Sequence, residues 1–183
     1  MKYSYDKNLY TLRYSDCRDS HIYNQTIHYL EEIFQSPSDQ LMKITGIAKN
    51  FRKGLEKINQ FVQQATRSVC PYCKDVCCIS KHGYYSCEDL VYLYALGLRP
   101  PHYEFGRKDS DPCQYLSEHG CIIERSIRPS GCNWYFCDSL LDHMEVMPDY
   151  TIFDDSLRDA AELWLEMMEE FDRISSAGSV SLT

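Results

Sequence analysis

The 183-residue sequence has no apolar run that approaches the roughly 20 residues needed to span a membrane. Residues 1–7, Met-Lys-Tyr-Ser-Tyr-Asp-Lys, lack the apolar stretch that a signal peptide requires. Basic residues are in deficit, since 19 Lys and Arg stand against 27 Asp and Glu and give a formal net charge of −8. We therefore expect a cytoplasmic protein of one domain, with no membrane partner and no nucleic-acid partner.

Motifs for the common cofactor and catalytic chemistries are also missing. The sequence contains no G-x-G-x-x-G and no P-loop, so it offers no glycine-rich cradle for a phosphate or a dinucleotide. Spacing alone places no Ser–His–Asp or Cys–His arrangement. The sequence therefore identifies no catalytic residue and no substrate, and it leaves open whether the protein is an enzyme.

Cysteine, in contrast, is abundant and clustered. Four of the ten cysteines fall within residues 70–78, in the pattern C-x2-C-x3-C-C. In a reducing compartment this density of thiols indicates metal ligation before disulfides. The side chains of the adjacent Cys77 and Cys78 tend to diverge, so the two sulfurs are expected to serve different metal atoms, or one ligates while the other packs.

A second set of cysteines follows between residues 113 and 137, in a stretch with many proline and glycine loop signals. Together the two sets supply eight thiols, enough for two four-coordinate sites or for one site with structural spares. The candidate metal ligands are Cys70, Cys73, Cys77, Cys78, Cys113, Cys121, Cys132 and Cys137.

At these residues the chain resembles the zinc- or iron-chelating cysteine-cluster family, the CxxCxxCC family. The likeness rests on C-x2-C-x3-C-C, on C-x2-L-x4-C-x-I-E-R and on the step Arg128-Pro129, which is followed by two more cysteines. The chain departs from the family pattern in two places: residues 74–76 replace a common glycine, and Asn133 replaces a basic residue. The resemblance implies a metal site and no particular reaction. A more distant likeness links the cluster to flagellin lysine-N-methylases.

Two metals suit such thiolates. Zinc would fold the irregular half of the chain, although the second set lacks the C-x2-C of a zinc ribbon. A [4Fe–4S] cluster takes four thiolates, although the first set is not the ferredoxin run. The four clustered cysteines with a vicinal pair favour iron–sulfur slightly over zinc. The expected function is metal binding, as a carrier, an assembly factor or a metal-stabilised domain. The alternative is a redox or methylase-like enzyme or an electron carrier that uses a [4Fe–4S] cluster.

Two cysteines lie outside this pattern. Cys17 is far from both sets, so we expect it to be a free thiol. Cys87 falls in the first turn of a helix predicted over residues 90–96, which Ser86 and Asp89 would cap and Gly97 would end. The helix dipole would lower the pKa of Cys87, so it is either a ligand or reactive thiol, or a ninth cysteine without such a role.

The apolar periodicity predicts a mainly α fold, in which a helical hairpin and a C-terminal helix pack on an irregular, metal-pinned cysteine-rich region. The hairpin comprises helices over residues 21–34 and 39–67, with Ser36 as the N-cap of the second. Along that second helix, an apolar seam recurs every three or four residues: Leu41, Ile44, Ala48, Phe51, Leu55, Ile58, Val62 and Ala65.

An intramolecular core is the favoured interpretation of this seam, and a protein partner bound through it is the alternative. Asp154 is predicted to cap the C-terminal helix, whose apolar face includes Trp164, Met167 and Phe171. The single domain thus divides into residues 1–69, 70–145 and 146–183. Residues 10–14 permit a short strand or extended arm, and residues 175–183 have the composition of a frayed tail.

Overall fold

A computed structural model describes residues 17–36, 38–74, 77–80, 83–108, 110–118 and 120–178. The chain is mainly α-helical, as predicted, and its two longest described helices have 31 and 29 residues. The predicted arm at residues 10–14 and the end of the predicted tail, residues 179–183, lie outside the described residues. Within the described ranges, no helix has both the length and the apolar character to cross a membrane.

The elements of the described chain follow one another in a simple order. The helices are α1 (Ser20–Gln35), α2 (Asp39–Val69), α3 (Cys77–Ser80), α4 (Cys87–Ala95), α5 (Gly131–Trp134), α6 (Asp138–Glu145) and α7 (Tyr150–Gly178). Two 3-10 turns occupy Cys70–Tyr72 and Arg125–Ile127. Strands β1 (Leu116–Ser117) and β2 (Gly120–Cys121) pair antiparallel, with Leu116 opposite Cys121.

The two helices predicted for the N-terminal hairpin are confirmed, but the predicted cap between them is wrong. Ser36 ends α1, and Ser38 caps α2 by accepting the backbone N–H of Leu41 at 3.2 Å. Ser38 takes this role because it directly precedes the first helical residue and has the extended backbone, φ −145° and ψ 156°, that an N-cap needs. Helix α1 packs chiefly on α4, and α2 packs chiefly on α7.

The apolar seam of α2 is confirmed as core. All eight of its residues are buried, and each large apolar side chain contributes about 1.5–3 kcal/mol by its removal from water. Helix α7 covers much of the seam: the ring of Phe51 lies 5.1 Å from that of Trp164, and Gly54 of α2 faces Ala160. Packing within one chain therefore accounts for the apolar period of α2. A protein partner bound through this helix stays a prediction.

Helix α7 begins one turn earlier than predicted. Asp154 is not its cap, because the helix starts at Tyr150 and the N–H of Phe153 already donates to the carbonyl of Asp149 at 3.0 Å. The early start is stabilised by Phe153, which is buried and stacks on Phe61 at 4.7 Å between ring centroids. The helix also continues to Gly178, so residues 175–178 are helical and not frayed.

The region between residues 98 and 137 is irregular, as predicted, and contains only short elements in its described part. Helix α6, directly after it, was not predicted. Only two of its eight residues, Leu140 and Met144, are buried. Two apolar positions are too few to produce a recognisable helical period.

The remaining two cysteines form a disulfide, so the prediction that Cys17 is a free thiol is wrong. Cys17 precedes α1 and Cys87 opens α4, and the packing of α1 on α4 brings their Cα atoms to 6.1 Å across 70 residues of sequence. Thr26 of α1 lies beside both sulfurs, 3.9 Å from Cys17 Sγ and 3.8 Å from Cys87 Sγ. Cys87 is therefore committed to Cys17. The capping box of Ser86 and Asp89 at the start of α4 is confirmed.

The disulfide leads to a first prediction. Replacing both Cys17 and Cys87 with alanine removes a cross-link between positions 70 residues apart, which should lower the free energy of unfolding by about 2–5 kcal/mol. Thermal and denaturant unfolding measure this change. A reductant should reproduce the loss in the native protein and have no further effect on the double variant. Equal stability of the two proteins under oxidising conditions would contradict the pairing.

Candidate metal centre

The eight predicted ligands come from the end of α2, from α3 and from the irregular region. Cys70 and Cys132 are exposed, Cys113 is buried, and the other five are partly buried. All eight lie among the described residues, as do the two cysteines of the disulfide. Every cysteine of the chain is thus accounted for, either in the disulfide or in the region of the candidate centre.

The first two thiols are placed by the end of α2. Cys70 is the C-cap of this helix and begins the 3-10 turn. Pro71 stands at the start of that turn, where a proline costs no hydrogen bond. The turn closes when the N–H of Cys73 donates to the carbonyl of Cys70 at 3.2 Å. The C-x2-C spacing therefore folds into a tight turn that presents both thiols together.

Cys137 joins these thiols from 60 or more residues further along the chain. It is the N-cap residue of α6, and its carbonyl accepts the N–H groups of Leu140 and Leu141 at 2.9 Å. Its thiol is in hydrogen-bond contact with that of Cys77, and the thiols of Cys70, Cys73 and Cys137 all raise the pKa of Cys77 after the effect of burial. Cys70, Cys73, Cys77 and Cys137 are therefore neighbours.

Cys78 faces a different group of thiols. Its carbonyl accepts the N–H of Cys113 at 2.8 Å, which fixes the two chain segments side by side. The N–H of Gly83 donates to the sulfur of Cys113 at 3.5 Å. Such N–H to sulfur bonds stabilise thiolates in iron–sulfur and zinc sites.

Cys121 and Cys132 complete this second group. The β1–β2 hairpin returns the chain, so that Cys121 lies opposite Leu116 and close to Cys113. A Cβ placed on Gly83 would lie 3.3 Å from the sulfur of Cys132 and 3.7 Å from that of Cys113. Glycine at position 83 therefore allows the backbone to approach two sulfurs at once.

Neighbouring thiols and a nearby arginine shift the pKa values of the thiols in opposite directions. Desolvation, together with the neighbouring thiols Cys113 and Cys121, raises the pKa of Cys132 to about 12. The same two neighbours, after burial, raise the pKa of Cys78. The guanidinium of Arg128 works against both increases. Crowded and buried thiols resist ionisation, because each thiolate would repel its neighbours. A cation among them stabilises the thiolate form.

A second arginine lies behind this group. Arg125 is 8% exposed, and its Nε donates to Asn59 Oδ1 at 3.1 Å while its Nη1 donates to Asn133 Oδ1 at 3.4 Å. Burial and the charge of Arg128 lower the pKa of Arg125 to about 10, and the thiols of Cys132 and Cys121 oppose that shift. Asn133, which departs from the family pattern, is here the buried acceptor of this guanidinium.

Asp89 fixes the loop that carries Cys132. One carboxylate oxygen accepts the N–H of Ser86 in the capping box of α4, and the other accepts the N–H of Ser130 at 2.8 Å. Tyr92 of the same helix donates to the carbonyl of Ser126 at 2.7 Å. Sequence reasoning found Asp89 only as a cap. It indicated neither the hydrogen bond from Ser130 to Asp89 nor the role of Arg125, because a single buried polar residue produces no periodic signal.

The donor set suits the metals that the sequence suggests. Four or more thiolates without carboxylate ligands are typical of zinc and of iron–sulfur clusters, and amide hydrogen bonds to sulfur support the same chemistry. Across the described residues, no three His, Cys, Asp or Glu side chains form a group that could hold a metal ion as they stand.

No protein-family model matches the chain, and no curated protein or solved structure matches it either. The resemblance to the cysteine-cluster family stays a prediction.

The environment of Asp89 leads to a second prediction. Burial raises the pKa of this carboxyl to about 6 from 3.8, against the hydrogen bonds of Ser86 and Ser130. A folded-state pKa above the unfolded value means that the protonated form adds stability below about pH 4, and that this stability is lost as the pH rises through about 6. Denaturant unfolding between pH 4 and 7 measures the loss.

The variant Asp89→Asn provides the comparison. It keeps the shape, but its amide has one acceptor oxygen where the carboxyl has two, so one of the N–H groups of Ser86 and Ser130 loses its acceptor. The variant should therefore be about 1–3 kcal/mol less stable at pH 4.5. The difference between the native protein and the variant should shrink as the pH approaches 7. A difference that is constant or grows over this range would contradict the raised pKa.

Proposed function

We propose that this protein binds metal through the thiolates of its eight clustered cysteines, with an iron–sulfur cluster as the expected occupant and zinc as the other. The observation that supports this most directly is the convergence of the eight cysteines. They come from segments up to 67 residues apart, yet each has others of the set as its neighbours. The two cysteines outside the set pair with each other.

The surroundings of the thiols support metal ligation over packing. A structural thiol is inert when buried among apolar side chains. Here, instead, the N–H of Gly83 points at the sulfur of Cys113, and the charge of Arg128 acts on Cys78 and Cys132. Hydrogen-bond donors and guanidinium groups stabilise the negative charge that several thiolates bring to a metal.

The metal, when bound, would supply either a redox-inert structural centre or an electron-transfer centre, according to its identity. The chain's own contribution would be to bring eight thiols together from the end of α2, from α3 and from the irregular region. The role of the protein is therefore proposed at the level of metal binding.

The third prediction identifies the metal. Protein purified without oxygen should be brown, with absorbance near 400 nm and with matching iron and sulfide contents, if it holds an iron–sulfur cluster. Colourless protein with stoichiometric zinc by elemental analysis would replace the iron–sulfur proposal by zinc. Protein that contains neither metal, and that takes up neither zinc chloride nor iron with sulfide, would overturn the proposed function. The Cys17→Ala/Cys87→Ala variant is the control, because it loses two sulfurs that are not proposed ligands.

The fourth prediction concerns the effect of metal removal. The irregular region has few hydrogen bonds of regular structure, whereas α2 is held by its buried seam. Chelation should therefore speed hydrogen exchange between residues 98 and 137 and leave the middle of α2 protected. Unchanged exchange in the irregular region after complete removal of the metal would show that the metal does not stabilise it.

A further inference from the structure

The eight thiols fall into two groups by position. Cys70, Cys73, Cys77 and Cys137 meet at the end of α2 and the start of α6. Cys78, Cys113, Cys121 and Cys132 meet around Gly83 and the β1–β2 hairpin. We call these groups quartet A and quartet B. We propose that each quartet is a separate four-thiolate site, for one zinc ion or one iron–sulfur cluster, and that the Cys77–Cys78 peptide joins the two.

The first argument is the geometry of α3. Cys77 and Cys78 are its first two residues, and consecutive side chains of an α-helix point about 100° apart, since a turn takes 3.6 residues. One residue therefore faces the turn of Cys70 and Cys73 while its neighbour faces Cys113. The hydrogen-bond contact of Cys77 with Cys137 and the backbone bond from Cys113 to Cys78 agree with this division.

The second argument is that each quartet is held by its own contacts. Quartet A is positioned by the 3-10 turn, with its bond from Cys73 to Cys70, and by the first turn of α6. Quartet B is positioned by the hairpin and by Gly83, whose missing side chain leaves room for the sulfurs of Cys132 and Cys113. Cys77 raises the pKa of Cys78, its neighbour in the chain, so the vicinal pair links the two quartets.

The third argument is the different electrostatic surroundings of the two quartets. Arg128 acts on Cys78 and Cys132, and the buried Arg125 interacts with Cys121 and Cys132, so that two guanidinium groups lie beside quartet B. Each quartet includes one exposed cysteine, Cys70 in quartet A and Cys132 in quartet B. Positive charges close to a four-thiolate site offset its net negative charge. The two quartets therefore differ in their surrounding charge, as two separate sites would.

This proposal rests on the proposed function, and metal stoichiometry tests it. The native protein, purified without oxygen or loaded with zinc chloride, should hold two site equivalents: two zinc ions, or about eight irons if both are [4Fe–4S] clusters. Cys70→Ser/Cys137→Ser should retain one equivalent, and Cys113→Ser/Cys121→Ser should retain the other. Within the vicinal pair, Cys77→Ser should lose the same metal equivalent as Cys70→Ser/Cys137→Ser. Cys78→Ser should lose the same equivalent as Cys113→Ser/Cys121→Ser.

A substitution that removes no thiol tests the two sites independently of the cysteine variants. Gly83→Ala places a methyl group against two sulfurs of quartet B, so it should weaken one of the two equivalents about tenfold or more against a chelator. Gly46→Ala is the matched control, because a Cβ there meets nothing within 4 Å. Its two equivalents should be unchanged. Circular dichroism of each variant confirms that the helices are retained.

The outcomes separate the two proposals. If the native protein holds one equivalent, or if either double variant with intact helices loses all of its metal, the eight thiols form a single centre and the two-site proposal is overturned, while metal binding stands. If the native protein holds no metal under either loading condition, both proposals fail. Loss of one equivalent in each double variant, with only one affected in Gly83→Ala, supports two sites.

Discussion

The structure depends on the burial of one face of α2. This helix contacts α7, α6, α4 and both 3-10 turns, so most of the described chain packs on it. Its eight seam residues are apolar and buried over about seven helical turns, and burial on this scale is the dominant favourable term in folding. Because Cys70 follows the last residue of α2, the helix also fixes where the cysteine region begins. The position of the candidate centre thus follows from the packing of a helix that contributes only its end to it.

Local sequence signals predicted the helices well, since a helical period of apolar residues depends only on neighbours along the chain. The same locality explains the errors. Ser36 and Ser38 are both competent caps, and only the backbone geometry of the turn selects Ser38. Asp154 resembles a cap, but the stacking of Phe153 on Phe61, from another helix, extends α7 past it. The pairing of Cys17 with Cys87 depends on how α1 packs on α4, which no spacing reveals.

The candidate centre shows the same limit. The sequence predicted the eight candidate ligands, and the vicinal pair predicted that the side chains of Cys77 and Cys78 diverge. It could not show that Cys137 lies beside Cys77, or that Cys113 lies beside Cys78, because these contacts are made by loops that the rest of the fold positions. The polar support behind the thiols was also hidden. Arg125 is satisfied by asparagines 66 and 8 residues away, an arrangement that only the folded chain brings together.

The disulfide has a topological consequence for the integrity of the chain. It joins positions 17 and 87, and the cysteine region begins at residue 70, inside the loop that this bond closes. A single proteolytic cut anywhere between these two positions would therefore leave two fragments still covalently joined, with α1 attached to α4. The first cysteine cluster lies entirely within that loop, so a nick beside it would not release it from the body of the protein. Backbone breakage there and loss of the centre are thus separate events.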